Sequence, residues 1–592
     1  MAFTGTMGYC MIKHRKKASH AERRNGFVAK YQHFDPRRMA ELAHHYLTSM
    51  VDEKNGYLPY WLILPNQKPA EAAHCRVDDA ELVGSWYEGL DSAMQVLDTE
   101  EGKEVLSGFE AFLRSSWGPM GLRYHKPYPW THTMHASFHE MGYILPALNR
   151  ILRKNPRDRE MEERISGLVH GMRSLVIERK VRTFWSGDSP EEKPIYEFPN
   201  DVYLLEGGFD LTRHTGRGEQ PIRNGVVIPA LMARALEWGD EAALDLARGL
   251  ANQLLGPSRY FNYKYAFFGH VHSAVWVAGG LADLADATGD PGYLKAAKGI
   301  YDYVRSLSSS FGWVPEYAQW HPLREEHCET CCLKDMLVMA DKLTRHGYPE
   351  YWQDMLLFSR NQLAENQITS AAYVITDNSR PDTESTTWRD LDKRMIGGFT
   401  GGSLPNSISL SKFRSIAGCC AGTAPMAIQL IWDRAVTEEG NVTAVHIPLD
   451  RETDAWRLES DYPDRGEMRL TLKHGGQPAF RRYPFMGRHV ECAVNGRAVP
   501  FREENGLILP PPLSPGDTAV LRHPLRTVRK KEIAAGQEYT VFWRGPDVVD
   551  MTPHGEHLRL YQRDLRKEKV LPRPEDVTYS GAANYGPTQQ KR

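Results

Sequence analysis

The chain has 592 residues, 41% of them hydrophobic and 25% charged, with a formal net charge of -2 at pH 7. That length exceeds what one hydrophobic core supports and predicts two or three domains. The near-neutral balance offers no electrostatic footprint for nucleic acid or an anionic membrane surface, and no apolar run approaches a bilayer span.

Residues 1–35 read as an N-terminal extension. Its first segment carries His and Lys where a signal peptide needs an apolar run. Cys10, Cys75 and Cys492 stand alone, which argues against a disulfide framework and for a reducing, cytoplasmic setting. From residue 36 to about 435, helical periodicity dominates. Stretches at 38–50, 81–97, 226–238, 241–255, 272–287 and 332–343 carry it, and Ile144, Leu148, Ile151 and Leu152 share one helical face. Leu294, Ala297, Tyr301 and Val304 repeat the pattern after the punctuation Thr288-Gly289-Asp290-Pro291. About a dozen such helices joined by short loops predict a toroid of helical hairpins, an (α/α)6 barrel, with a looser helical array as the alternative.

After Asn441 the pattern becomes alternation, as in Met468-Arg469-Leu470-Thr471-Leu472 and Tyr539-Thr540-Val541-Phe542-Trp543. Turn signals at Gly475-Gly476, Asn495-Gly496 and Asn505-Gly506 intervene. Residues 436–574 are therefore predicted as an antiparallel β-sandwich and 575–592 as a loose polar tail. No Gly-rich phosphate loop or dinucleotide fingerprint occurs, so nucleotide chemistry is unsupported.

Five of the eight cysteines lie in two windows, Cys328-Glu329-Thr330-Cys331-Cys332 and Cys419-Cys420. Thiolates crowded beside a carboxylate suit zinc, and a metal strips the thiol proton that otherwise blocks nucleophilicity. Three readings compete at this point: buried structural cysteines, a closed structural zinc, and a working sulfur. The Cys pair sits between a small-residue loop and a helix predicted to begin near Ala424. Between Tyr128 and His135, which includes Trp130 and His132, flat rings and imidazoles alternate at the density that sugar binding requires.

Glu329-Thr330-Cys331 and Cys419-Cys420 resemble the zinc site of glycoside hydrolase family 127, the β-L-arabinofuranosidases. Gly269-His270, Gly280 and Thr288-Gly289-Asp290 are similar to a second stretch of that family. Trp86 and Glu88 resemble its early W-x-E motif, and Trp543-Arg544-Gly545-Pro546 its closing strand. The resemblance spans residues 40 to 550. Counting from Cys331 places Met336, Leu337 and Asp354 in the family's register, which selects Glu329 and Cys331 over Glu326 and Cys328.

The resemblance implies zinc held by Glu329, Cys331, Cys419 and Cys420, with Cys419 as nucleophile of a retaining exo-glycosidase. Glu316 is the expected acid/base, and Glu325 and Glu326 are its rivals. Around it, Trp313, Tyr317 and Trp320 are expected to exclude water and stack on sugar. His270, His135, His132, Trp130 and His272 are the expected sugar contacts. His272 stands where the family usually has Asn. The implied substrate is a terminal β-L-arabinofuranoside or a related furanose or deoxy sugar of plant cell-wall glycans. The rivals are another carbohydrate-active enzyme with structural zinc, either a lyase or an inverting hydrolase, and a non-catalytic sugar-binding protein. A homodimer stands as an expectation, with no nucleic-acid or membrane partner.

Overall fold

The computed structural model describes residues 28–74, 81–130, 134–183, 191–211, 220–319, 327–408, 416–556 and 558–573. Among these, thirteen α-helices precede Ala435: α1 Pro36–Ser49, α2 Val83–Leu97, α3 Lys103–Leu113, α4 Phe138–Lys154, α5 Arg159–Leu175, α6 Ile228–Trp238, α7 Glu241–Leu255, α8 Val271–Thr288, α9 Pro291–Leu307, α10 Thr330–Arg345, α11 Trp352–Phe358, α12 Leu391–Arg394 and α13 Gly418–Arg434. Six of them close a circuit: α2 packs on α4, α4 on α6, α6 on α8, α8 on α10, α10 on α13, and α13 again on α2. Of the remaining long helices, α5 packs on α4, α7 chiefly on α6 and α9 chiefly on α8, while α1 packs on both α2 and α13.

The two sets differ in composition for a physical reason. Helix α8 is buried almost all round from Val271 to Leu284, as a helix enclosed on both sides must be. Helix α9 instead hides one stripe, Tyr293, Ala296, Ala297, Ile300, Tyr301 and Val304. The ends differ too. Outer helices α1, α5, α7 and α9 start with Asp35, Asp158, Asp240 and Asp290, whose carboxylates accept first-turn N–H groups at 2.8–3.1 Å. In none of the six ring helices does the N-cap side chain make such a bond.

Strands dominate from Val436 onward. A six-stranded sheet runs in the order Arg451–Glu452, Trp456–Ser460, Gly466–Leu472, Thr518–His523, Glu491–Val494, Arg497–Val499. A five-stranded sheet orders Val436–Glu439, Val442–Val445, Gln477–Arg481, Leu507–Leu509, Arg502–Glu504. In Gly466–Leu472, Gly466, Met468, Leu470 and Leu472 are buried and the residues between are half-buried, the period of two read from the sequence. One pairing departs from the antiparallel expectation: Val442–Val445 runs parallel to Gln477–Arg481. Alternation encodes which face is buried and carries no information on strand direction.

The helical and strand-rich parts share one hydrophobic core and a buried ion pair. Arg360 makes two 3.0 Å bonds to Asp547 and a third, 2.7 Å, to the Pro448 carbonyl. Asn361 accepts from Val548 N at 2.8 Å and donates to the Pro546 carbonyl. Among the described residues no helix is long and apolar enough to cross a membrane.

Candidate metal and catalytic site

Ring-helix N-termini supply the site. Glu329 is the N-cap residue of α10, with extended φ and ψ of -87° and 132°, and Cys331 follows in the first turn. Helix α13 starts at Gly418 rather than near Ala424, so Cys419 and Cys420 lie inside its first turn. Pro425 marks a favoured first helical position, which points to the later start. Packing decides otherwise, because Gly89 of α2 and Gly422 of α13 touch through their backbones and hold the extra turns in place. Trp86, fully buried, donates its indole N–H to the Gly418 carbonyl at 2.8 Å, pinning the residue before Cys419.

One ligand atom from each of Glu329, Cys331, Cys419 and Cys420 lies within 4.8 Å of the others. Cys331 Sγ is 3.4 Å from Cys420 Sγ, and Glu329 Oε1 is 3.9 Å from both Cys419 Sγ and Cys420 Sγ. A tetrahedral zinc with bonds of about 2.3 Å to sulfur separates its sulfurs by about 3.8 Å. Three thiols and one carboxylate at these spacings fit zinc in number, softness and size. Cys331 and Cys420 are buried while Cys419 is partly exposed. The neighbouring thiols of Cys331 and Cys420 pull Cys419 down to about 6. Burial pushes Cys331 and Cys420 well above the usual thiol range.

The two remaining cysteines of the first window lie off this cluster. Cys328 pairs in a β-bridge with Ser403, takes the Asn366 amide at 3.9 Å, and is pushed by burial up to about 12. Cys332 Sγ sits 3.8 Å from the other Glu329 oxygen, Oε2. The loop Gly397-Gly398-Phe399-Thr400-Gly401-Gly402 supports the same end of α10, since Thr330 donates to the Thr400 carbonyl at 2.6 Å.

Glu316 reaches the site through a short ladder. Tyr317–Ala318 pairs antiparallel with Gly269–His270, which places Glu316 beside the start of α8. Glu316, His270 and Glu329 form a second group with ligand atoms within 4.8 Å of one another. His270 bonds Ser273 Oγ through Nδ1 at 2.9 Å and Glu329 Oε2 through Nε2 at 3.1 Å. It therefore orients the carboxylate of the cysteine cluster, a role beyond the sugar contact expected of it. His272 meets Asp335 through Nδ1 and Tyr143 Oη through Nε2, the latter at 2.8 Å.

The early aromatic segment divides. Trp130 lies parallel to Tyr128 and to His74, with ring centroids 4.8 and 4.7 Å apart. His135 stacks on His125 at 4.3 Å, and His125 in turn bonds Glu140 at 2.7 Å. His132 lies outside the described residues, as do Trp320, Glu325 and Glu326. Trp313 is 1% exposed and donates to the Ser403 carbonyl, so it packs rather than stacking on a ligand.

Sequence reasoning missed Tyr143, Asp335 and Glu81. Glu81 lies 3.5 Å from His139, and its charge bears on Cys419. A helical signal was present, because Tyr143 stands four residues after His139 and Asp335 four after Cys331, each pair on one face.

No protein-family model and no curated protein matches the chain. Solved structures do. The fold is similar to that of a GH127 β-arabinofuranosidase at 15% identity, TM-score 0.56, over 87% of this chain and 81% of that one. It is similar to a GH127 β-L-arabinofuranosidase from Geobacillus stearothermophilus T6 at 15% identity, TM-score 0.50, over 87% and 80%. A structure described as a glycoside hydrolase follows at 14% identity, TM-score 0.55, over 88% and 81%. The chain shares this fold.

Proposed function

We propose that this protein is a zinc-dependent, retaining exo-glycosidase that uses Cys419 as its nucleophile. The observation that carries the reading is the convergence of Glu329, Cys331, Cys419 and Cys420 at uncapped ring-helix N-termini, with Glu316 alongside. The closed circuit of six helices supports an (α/α)6 barrel over residues 36–435, and the two sheets support a β-sandwich over 436–574. Uncapped N-termini direct positive dipole ends at the anionic cluster, which favours thiolate and carboxylate.

Zinc, when bound, keeps its sulfur ligands deprotonated at neutral pH. Cys419 is the one of the three cysteines that is not fully buried, and a thiolate needs an open face to attack. Its electron pair forms the bond to the anomeric carbon while the glycosidic C–O bond breaks. Glu316 gives its proton to the departing oxygen. Glu316 then takes a proton from water, the water oxygen bonds the same carbon, and the C–S pair returns to Cys419. Two displacements retain the configuration. Two of the similar folds belong to β-arabinofuranosidases, which supports a terminal β-L-arabinofuranoside or related furanose or deoxy sugar of plant cell-wall glycans as substrate. A cytoplasmic enzyme of this kind acts on short imported glycosides, and recovery of the protein from a secreted fraction would count against that placement.

The test is hydrolysis of p-nitrophenyl β-L-arabinofuranoside. Cys419→Ala is expected to lower kcat by more than about a thousandfold while the circular dichroism spectrum is unchanged. Persisting activity, or an inverted product by NMR, would overturn the nucleophile assignment.

A further inference from the structure

Thr423 lies in the second turn of α13, four residues after Cys419 and three after Cys420, and so shares their helix face. Its side chain is fully buried. A threonine inside a helix commonly turns its hydroxyl back to the carbonyl one turn earlier. Thr423 instead reaches across to α10, where its Oγ1 is 3.3 Å from Cys331 Sγ, and among the described residues it makes no other hydrogen bond. The three sulfurs of the cluster are thereby unequal. Cys419 and Cys420 meet Glu329, and Cys420 also meets Cys331, but among the described residues neither receives a hydroxyl or N–H donor.

A thiol and a hydroxyl can each donate to the other, so the contact has no fixed direction while Cys331 keeps its proton. Zinc removes that proton, and a thiolate can only accept. The Thr423 O–H is then the donor, and the bond becomes charge-assisted. Its value is electrostatic. Three thiolates and a carboxylate outnumber the charge of a divalent ion, and buried excess charge needs donors to disperse it. His270 serves the Glu329 carboxylate in this way at 3.1 Å. Thr423 serves the buried Cys331 sulfur, and the sulfur proposed to attack is left without a donor.

We propose that Thr423 is a positioning residue of the metal centre, whose hydroxyl holds the Cys331 thiolate on zinc. The inference rests on the zinc reading of the cluster.

The test measures zinc affinity by competition with a chromogenic chelator, and the thiolate-to-metal charge-transfer band after cobalt(II) substitution. Thr423→Val keeps the shape of the side chain and removes the donor. It is expected to weaken zinc binding by about 10- to 100-fold. Its cobalt band is expected to move to longer wavelength, because a thiolate that loses a donor holds its lone pair less tightly. Thr423→Ser is expected to keep both at wild-type values. Wild-type affinity and spectrum in Thr423→Val overturn the proposal. So does an equal loss in Thr423→Ser, which assigns the effect to the missing methyl group and hence to packing. Should Thr423→Val fail to fold by circular dichroism, Thr423→Ala is compared with Thr423→Ser, since those two differ only in the hydroxyl. A loss confined to Thr423→Ala supports the donor, and equal affinities rule it out. No sugar enters these measurements, so an enzyme inert on every furanoside leaves them decisive. A wild type that takes up neither zinc nor cobalt overturns the metal centre and this inference together.

Discussion

Cys331, Cys332, Cys419 and Cys420 carry one functional group, and their surroundings give it different work. Three of them join Glu329 within 4.8 Å, and Cys332 touches the opposite carboxylate oxygen. Replacing Cys331 or Cys420 with Ser is therefore expected to reduce bound zinc well below one per chain, as measured by inductively coupled plasma mass spectrometry. Cys332→Ser is expected to retain it. Equal loss in all three variants would mean that the ligand set is wrong. The windows were legible in the sequence because thiols close together are rare without a purpose. Tyr143 and Asp335 were not, since a lone Tyr or Asp on a helix has many ordinary roles, and only the fold brings His272 between them.

At the scale of elements, the site depends on where α13 begins. A Cβ added at Gly89 would collide with the Gly422 carbonyl oxygen, which is backbone and cannot rotate away. Gly89→Ala is expected to push α13 off α2, costing about 1–3 kcal/mol and shifting Cys419 relative to Glu329. A lowered urea midpoint together with weakened zinc affinity checks this. Unchanged zinc affinity would show that the first turn of α13 is held by other contacts, such as Trp86. Helices with one apolar stripe were legible from periodicity, and the predicted 241–255 matches α7 as found. The start of α13 was not, because a run of Gly, Ala, Cys and Thr has no period, and Pro425 signals a later start. The parallel strand pair escaped for a similar reason: direction is set by how the chain returns, not by the residues in the strand.

Across the whole molecule, the helical and strand-rich parts are joined by contacts that tie stability to pH. Arg360 and Asp547 are 1% and 0% exposed at their side chains. Arg360→Ala leaves a buried carboxylate without its main partner and is expected to cost about 3–5 kcal/mol in chemical denaturation. His446 stacks on Trp352 at 3.8 Å and bonds Thr437. Burial, with Arg481 and Arg434 nearby, holds it well below its ordinary 6.5. Below pH 6.5 the unfolded chain takes up a proton on this imidazole and the folded protein does not. Stability is thus intact above pH 6.5 and falls below it, by up to about 1.4 kcal/mol per pH unit from this group. The difference in urea midpoint between pH 7.5 and 5.5 is expected to shrink in His446→Gln. An unchanged difference would assign the acid sensitivity to other groups, His523 among them.

The sequence by itself determined the order of helical and strand-rich regions, because apolar spacing is a local property that every stable helix or half-buried strand must obey. It also determined that two thiol windows exist, since composition needs no fold to be seen. Only the tertiary structure decided that Glu329, Cys331, Cys419 and Cys420 meet, that ring-helix N-termini are left uncapped around them, and that Tyr143, His272 and Asp335 connect. These pairs are separated by tens to hundreds of residues, and their distances are set by how six helices close on one another rather than by any spacing along the chain.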